Sequence, residues 1–344
     1  FGVLLESLTG LPMAAGVFGG LTVIVIYTMA GGMWAVALTD FVQTLILVFG
    51  LFILLYVVLD DVGGWSAIMA RLPEHSMRLI PLVHTPGNWL DWIHVWMTLG
   101  VAAIASTPVI QRALSAKSEA VAQNSFYIAT LLYLGIGVIP IALGLIASIT
   151  MPNLEDPNAV LTVLAVEHLH PILVVVFVGA ILSSIMSTSD SVLLGVASVV
   201  STNLLPLVKK NADATLRLRV ARLTIPVAGL LATYVAFSAS RVVEVLIDAA
   251  APLLAGIIVP FILCFWWEKA NRSGALAGMA GGLAGWSIAG TLHSSIPPDM
   301  VGFLVSLVSM VVVTLSTQKV DPPRPLTDCD GNTIALEQRL GIRL

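Results

Sequence analysis

The chain has 344 residues, of which 58% are hydrophobic and only 10% are charged, and its mean hydropathy is +0.97. A soluble domain carries about 25% charged residues, so this composition excludes a protein whose surface lies mainly in water and indicates one embedded in a lipid bilayer. The net charge of −4 provides no basic surface for nucleic acid, and the two cysteines do not form a disulfide framework.

Nine apolar segments are long enough to cross a membrane as helices, because a span needs about 20 mostly apolar residues. We name them helices A to I, with predicted limits 11–29, 33–59, 89–109, 121–149, 171–205, 218–237, 242–267, 275–292 and 300–317. The sequence thus predicts an all-α polytopic membrane protein with a transmembrane domain over 1–317 and a polar tail over 318–344. A short amphipathic helix is expected in the polar stretch 150–170.

The positive charges are divided unevenly between the two sides of the predicted bundle. Of the 16 lysines and arginines, all but Arg71, Arg78 and Arg241 lie in the links after helices C, E and G, in the adjoining start of helix F or in the tail after helix I. Membrane proteins concentrate Lys and Arg in cytoplasmic loops. We therefore expect these links and the C-terminal tail to be cytoplasmic.

Helix E carries a run of hydroxyl side chains with one carboxylate. Ser184, Ser187, Thr188 and Ser191 are spaced i, i+3, i+4 and i+7, so they share one helical face, which Asp190 flanks. A charge at membrane depth is costly, and oxygen atoms are the ligands of hard cations such as Na⁺. The pattern predicts a cation site, although the same hydroxyls could instead bond back to the preceding turn or hold helices together.

Helix B contains a second acid, Asp40, near its start. From the helical rise of about 1.5 Å per residue, Asp40 and Asp190 fall at similar depth, in the third of the bilayer predicted to be cytoplasmic. Taken alone, Asp40 is also consistent with a solvated helix end. If helices B and E are neighbours, the two acids and the hydroxyl face would form a cation path.

Other polar and small residues permit two interpretations each. Trp92 and Trp96 on helix C could stack on a substrate, but anchoring at the membrane interface is commoner for tryptophan. Gln111 and Arg112 follow helix C and are interpreted as ordinary cytoplasmic polar and positive groups. Helix H indicates close helix packing through its small residues Gly274, Gly278, Gly281, Gly282 and Gly285.

Two motifs resemble those of the sodium/solute symporter family. One runs from Gly31-Gly32 through Thr39-Asp40 to Gln43, and the other is Met186-Ser187-Thr188-Ser189-Asp190-Ser191. The link from Gln111 to Ala116 also resembles the choline, proline and pantothenate branches. The resemblance implies a LeuT-type architecture of two inverted five-helix repeats with sites on discontinuous helices. It makes A and B the fourth and fifth core helices and C to G the second repeat, and we expect the first three core helices to lie upstream of Phe1.

The resemblance also implies ion and solute contacts. The main sodium site would use the carbonyl of Ser184 and the side chains of Ser187 and Thr188. A second site found in some members would map to Asp40, Ser187, Asp190 and Ser191, but Asp190 stands where those members have a hydroxyl. Helix C would line the solute site with Trp92, Trp96 and Thr107. The family often has glycine and proline before its arginine, whereas the run here is Ala102-Ala103-Ile104-Ala105-Ser106-Thr107-Pro108.

These features together predict sodium-coupled symport of a small organic solute across the cytoplasmic membrane, with Na⁺ as the coupling ion and no enzymatic step. Two alternatives remain open on the same fold: a solute-sensing input module of a signalling protein, and a proton-coupled carrier. A membrane enzyme ranks last, because no nucleophile–base pair or metal-ligand spacing occurs at membrane depth.

Overall fold

A computed structural model of the chain describes residues 2–154, 156–238, 242–292, 296–327 and 332–334. These residues form helices and no strand, and eight of their helical segments are long and apolar enough to cross a membrane. Contacts divide the chain into two compact units, which are Phe1–Met77 with Gln111–Arg241 and Arg78–Ile110 with Val242–Leu344. The predicted all-α class is confirmed.

The α-helices, in chain order, are α1 Gly2–Thr9, α2 Met13–Asp61, α3 Gly64–Arg71, α4 Pro86–Val95, α5 Thr107–Leu114, α6 Glu119–Ile136, α7 Val138–Thr150, α8 Val160–His168, α9 Pro171–Val199, α10 Leu205–Val208, α11 Ala214–Ser238, α12 Val242–Pro252, α13 Ile258–Trp266, α14 Arg272–Thr291 and α15 Pro298–Thr317. Helix α8 is the short helix expected in the stretch 150–170. Helices α1 and α3 are not among the predicted elements.

Helix α2 joins two predicted spans in one element of 49 residues. The predicted boundary between helices A and B is therefore wrong at the level of the backbone. The segment between them holds Gly31-Gly32 but no proline and no run of polar residues, and a glycine costs a helix only about 1 kcal/mol. Two apolar stretches, Met13–Gly31 and Val36–Asp61, are each long enough to span a bilayer.

Other predicted spans contain interruptions that apolar length alone does not reveal. Helix D divides at Gly137 into α6 and α7, and helix E ends in a π-helical turn over Val200–Leu204. Helix G contains a π-helical turn over Leu253–Ile257, directly after Pro252. Proline removes a backbone donor and favours such a break in the helical ladder.

In the first unit, α2 packs along α9. The ring of Phe177 on α9 lies against Gly50 on α2, where a Cβ atom would come within 2.7 Å of the ring. A glycine at this position allows the two helices to approach closely. A second cluster joins α2, α9 and α11 through Ile24, Leu193, Ala197 and Ile225. Helices B and E are thus neighbours, which is the condition on which the cation path depends.

In the second unit, α14 packs closely against α15. A Cβ on Gly278 would lie 3.0 Å from Cβ of Met310, and a Cβ on Gly285 would lie 3.0 Å from Cβ of Val305. The predicted role of helix H in close packing is confirmed. Helix α14 corresponds to helix H and has 20 residues, but it is not among the eight segments apolar enough to qualify as spans.

The segment after α15 folds back on the start of α14. Asp321 accepts hydrogen bonds from the backbone nitrogen and the hydroxyl of Ser273, at 2.7 and 2.8 Å, and these bonds hold the pKa of Asp321 below its usual range. Asn271 donates to the carbonyl of Asp321 at 2.7 Å. The predicted polar tail therefore begins with an ordered turn, while its residues 328–331 and 335–344 lie outside the described part of the chain.

The close contacts of α14 yield a stability prediction. In Gly282→Ala, the new Cβ would overlap the carbonyl oxygen of Ala255 and lie 2.8 Å from Cβ of Ser306. Overpacking of this kind typically costs about 1–3 kcal/mol, so we expect the free energy of unfolding in detergent to fall by that amount. The matched control is Gly290→Ala on the same helix, where the Cβ meets none of the described atoms within 4 Å. Equal losses in the two variants would contradict the packing role.

Candidate functional site

The hydroxyl face of α9 lies on a regular helix. Because α9 is continuous from Pro171 to Val199, the four predicted hydroxyl residues share one face, as expected. Their exposure differs: Ser191 is buried, Thr188 is exposed, and Ser184 and Ser187 are half-buried. The face therefore has a buried end, where Asp190 also lies, and a more accessible end.

At the accessible end, two predicted sodium ligands contact each other. The hydroxyl of Thr188 donates to the carbonyl oxygen of Ser184 at 3.2 Å, which is the local back-bond that the sequence leaves open as an alternative. In this continuous helix the carbonyl of Ser184 also accepts from the backbone nitrogen of Thr188, so the acceptor capacity that these bonds leave is on the Thr188 hydroxyl oxygen. The sodium site at Ser184, Ser187 and Thr188 remains a prediction.

At the buried end, the carboxyl group of Asp190 is satisfied by hydroxyl groups. Its residue is only 1% exposed. The hydroxyl of Tyr27 on α2 approaches Oδ2 of Asp190 at 2.5 Å and the carbonyl oxygen of Met186 at 3.1 Å, and Ser191 Oγ donates to Oδ1 of Asp190 at 3.4 Å. A buried carboxyl group requires such partners. Tyr27 therefore ties α2 to α9 at the level of the acid.

A basic side chain connects the second acid to the same turn of α9. Nη2 of Arg112, on α5, lies 3.1 Å from Oδ2 of Asp40 on α2 and 3.5 Å from Oγ of Ser191 on α9. Three helices thus meet at one guanidinium group. The interpretation of Arg112 as an ordinary cytoplasmic charge is incomplete, because this side chain makes a specific ion pair with a predicted cation ligand.

The neighbouring Gln111 fixes α5 on α9. In the orientation that satisfies its amide, the side-chain nitrogen donates to the carbonyl of Ser191 at 3.2 Å and the oxygen accepts from the backbone nitrogen of Gly195 at 3.0 Å. This pair of bonds uses backbone atoms of α9 as its anchor. Gln111 therefore fixes the position of the backbone from which the side chain of Arg112 extends.

Three buried oxygen atoms on α2 lack hydrogen-bond partners among the described residues. They are Oγ1 of Thr28, Oδ1 of Asp40 and Oε1 of Gln43, of which the last two are one helical turn apart. A buried acceptor without a donor is costly, and a cation is a suitable partner for a carboxylate oxygen. The Asp40 position therefore has more acceptor capacity than Arg112 uses.

The predicted solute residues lie in the second unit, on an irregular helix. Helix C consists of α4, a π-helical turn over Trp96–Val101 and a 3₁₀ turn over Ala102–Ala105. Ser106 is extended, with ψ of 141°, and α5 begins at Thr107. The π-helical turn packs against α12 and against the π-helical turn of helix G. Helices C and G therefore meet at their two irregular segments.

The candidate solute contacts differ in what surrounds them. The indole nitrogen of Trp92 donates to the carbonyl of Leu79 at 2.8 Å, and its ring lies 5.8 Å from the ring of Trp96. Trp96 is 59% exposed, and Thr107 is also exposed. The bond to Leu79 is consistent with an anchoring role for Trp92, so substrate contact by these residues remains a prediction.

A further polar cluster in the second unit has no counterpart among the predicted sites. Asp299, at the start of α15, is 2% exposed and accepts from Thr98 Oγ1 at 2.7 Å, with Nε2 of His94 at 3.0 Å. The sequence does not reveal this cluster or the role of Tyr27, because each residue taken alone is typical of a helix end or an apolar span. Pairings such as His94 with Asp299, 205 positions apart, have no local signal.

Comparison with known proteins gives consistent matches. The model of the sodium:solute symporter family matches residues 2–282. The chain is 28% identical to the sodium/pantothenate symporter of Haemophilus influenzae, over 89% of this chain and 66% of the relative. It is 25% identical to a sodium/proline symporter of Staphylococcus aureus, over 97% of this chain and 68% of the relative. The chain thus spans about two thirds of the length of these relatives, which are transporters and not enzymes, as predicted.

A solved structure of a Na⁺-coupled sialic acid symporter, in a substrate-bound outward-open state, has the same fold. It matches with a TM-score of 0.72 at 19% identity, over 92% of this chain and 69% of that chain. This likeness confirms the predicted LeuT-type membrane fold.

The contact between α2 and α9 at Asp190 is open to a direct test. Tyr27→Phe keeps the ring and removes the hydroxyl, which leaves Oδ2 of Asp190 without its described donor. Loss of such a bond to a buried acid costs about 1–3 kcal/mol, so the free energy of unfolding should fall by that amount. The control is Tyr234→Phe on α11, whose side chain is 75% exposed and which should leave unfolding nearly unchanged. Equal behaviour of the two variants would contradict an anchoring role for Tyr27.

Proposed function

The chain belongs to the sodium:solute symporter family, and from this premise we propose that it forms part of a carrier that moves a small organic solute across the cytoplasmic membrane together with Na⁺. The observation that carries the proposal is the group of oxygen atoms on α9, which lies beside two acids and within contact of α2. Transport of this kind requires no covalent step.

The ion site that we propose uses the accessible end of the hydroxyl face. The carbonyl oxygen of Ser184 and the hydroxyls of Ser187 and Thr188 would bind Na⁺, because a small hard cation prefers oxygen ligands. Support comes from the regular geometry of α9, which places these three residues on one face.

Asp40, Asp190 and Ser191 would form the cation path through which the ion leaves. Support comes from Arg112, which contacts Asp40 and Ser191, and from the bond of Ser191 to Asp190. Oδ1 of Asp40 also has no partner among the described residues. We propose that this path opens towards the cytoplasm and that the C-terminus lies on the same side. That orientation rests on the uneven distribution of lysine and arginine.

The solute site that we propose lies where helices C and G meet. Irregular backbone at membrane depth is tolerated where it is buried in protein or lines a cavity, and it supplies polar groups that can orient a solute. Trp92, Trp96 and Thr107 are the candidate contacts on helix C. Proline and pantothenate, the solutes named for the relatives, both carry a carboxylate, so small carboxylates are the class to test first.

Coupling follows from unequal binding of the ion to two conformations. If Na⁺ binds more tightly to the state in which the solute site is formed, then each ligand raises the affinity of the protein for the other. A ligand that binds both states equally would shift nothing. The ion and the solute are therefore expected to stabilise the protein together more than the sum of their separate effects.

The ion site can be tested by thermal unfolding of the protein expressed from its complete gene. At a sodium concentration 100 times the dissociation constant, binding stabilises the folded state by about 2.7 kcal/mol. We expect a higher midpoint in sodium than in potassium at equal ionic strength, and we expect Ser187→Ala to abolish this difference. The matched control is Ser189→Ala on another face of α9, where the hydroxyl bonds to the carbonyl of Ile185 and the sodium effect should persist.

Two results would contradict the proposal at different points. Equal midpoints of the wild type in sodium and potassium would remove sodium coupling and favour a proton-coupled carrier. A sodium effect that survives in Ser187→Ala would retain sodium coupling but would move the ion site away from the hydroxyl face of α9.

A further inference from the structure

The proposed cation path already contains a positive group. Arg112 places its guanidinium between Asp40 and Ser191, two residues that the sequence assigns to cation binding. We propose that this guanidinium is the resident cation of the Asp40–Ser191 position, so that Na⁺ does not bind there while Arg112 is in place. The inference rests on the proposed function for the identity of the ion and extends it to the number of ions that the protein binds.

The hydrogen atoms at this position have matching acceptors. Nη2 of Arg112 carries two hydrogens, and two acceptors lie within reach, Oδ2 of Asp40 at 3.1 Å and Oγ of Ser191 at 3.5 Å. The hydroxyl hydrogen of Ser191 is in turn directed to Oδ1 of Asp190 at 3.4 Å. The guanidinium therefore engages Oδ2 of Asp40 and Oγ of Ser191, two oxygen atoms that a metal ion at the same place would need.

The charge at this position is permanent. An arginine side chain is not deprotonated in proteins, so the guanidinium remains a cation at every accessible pH. A sodium ion at the same place would meet a like charge and would lose two of its oxygen ligands to hydrogen bonds. The Asp40–Ser191 position is therefore expected to hold either the guanidinium or a sodium ion, but not both.

The position of Arg112 is set by its neighbour. Gln111 bonds to the backbone of α9 on both sides of its amide, at Ser191 and Gly195. These bonds hold α5 at the turn of α9 that contains Ser191. The bonds of Gln111 therefore help to place the side chain of Arg112 beside Asp40, in addition to the attraction between the two charges.

Removal of the guanidinium would leave a set of oxygen atoms suited to a metal ion. Asp40 Oδ1 and Gln43 Oε1 are buried and have no partner in the described part of the chain. Asp40 Oδ2 and Ser191 Oγ would lose their bonds to Arg112. A site lined by carboxylate, amide and hydroxyl oxygens is typical of hard cations. Loss of Arg112 is thus expected to create a sodium site.

A purely structural role for Arg112 predicts a different outcome. A salt bridge that only joins α5 to α2 would affect stability when removed, but it would not change how many ions bind. The number of sodium ions bound at equilibrium separates the two roles, because it can be measured without transport activity.

The experiment measures binding of radiolabelled sodium at saturation to the protein expressed from its complete gene. We expect Arg112→Gln to bind one more sodium ion per protein than the wild type. Arg112→Lys retains a positive charge and should keep the wild-type number. Lys117→Gln is the matched control, because it removes one positive charge from the same link and should also keep the wild-type number.

A second variant tests the inference without altering Arg112. In Asp40→Asn the number of bound sodium ions should equal that of the wild type, because Asp40 is occupied by the guanidinium. An equal number in Arg112→Gln and wild type, or a loss of one ion in Asp40→Asn, would overturn the inference. The wild-type number tests the proposed function separately, since a wild type that binds no sodium would refute sodium coupling whatever the difference between the variants.

Discussion

The carboxyl group of Asp190 is buried in a helix that crosses the membrane, and its oxygen atoms must find their partners inside the protein. This requirement explains why α2 and α9 meet as they do. Tyr27 and Ser191 provide the hydroxyl groups. Arg112 contacts both Ser191 and Asp40, so it connects the two acids through Ser191. The close approach at Gly50 and Phe177 and the apolar cluster around Ile24 hold the two helices together on either side of this polar contact.

The second unit shows how irregular backbone is accommodated at membrane depth. Helices C and G each contain a π-helical turn, and the two turns pack against each other with apolar residues around them. Free backbone groups in lipid are costly, so such segments occur where protein covers them or where they line a cavity.

Arg112 illustrates why charge alone is a poor guide to function. It is one of many basic residues on the side of the bundle predicted to be cytoplasmic, and its place in the link after helix C predicts no partner for its side chain. Only its contacts differ, because it reaches an acid on one helix and a hydroxyl on another. The same positive charge that favours a cytoplasmic position also pairs with Oδ2 of Asp40.

The sequence by itself determined the membrane class, most helix positions and the hydroxyl face of α9, because apolar length and helical spacing are local properties of the chain. It did not reveal that α2 is continuous through Gly31-Gly32, or that helices C and G contain π-helical turns. Both features depend on whether the regular backbone hydrogen bonds of the α-helix continue through the segment. The tertiary structure alone decided which residues meet. Tyr27 with Asp190 and Arg112 with Asp40 are 163 and 72 positions apart, and only the packing of three helices brings their polar atoms within hydrogen-bond distance.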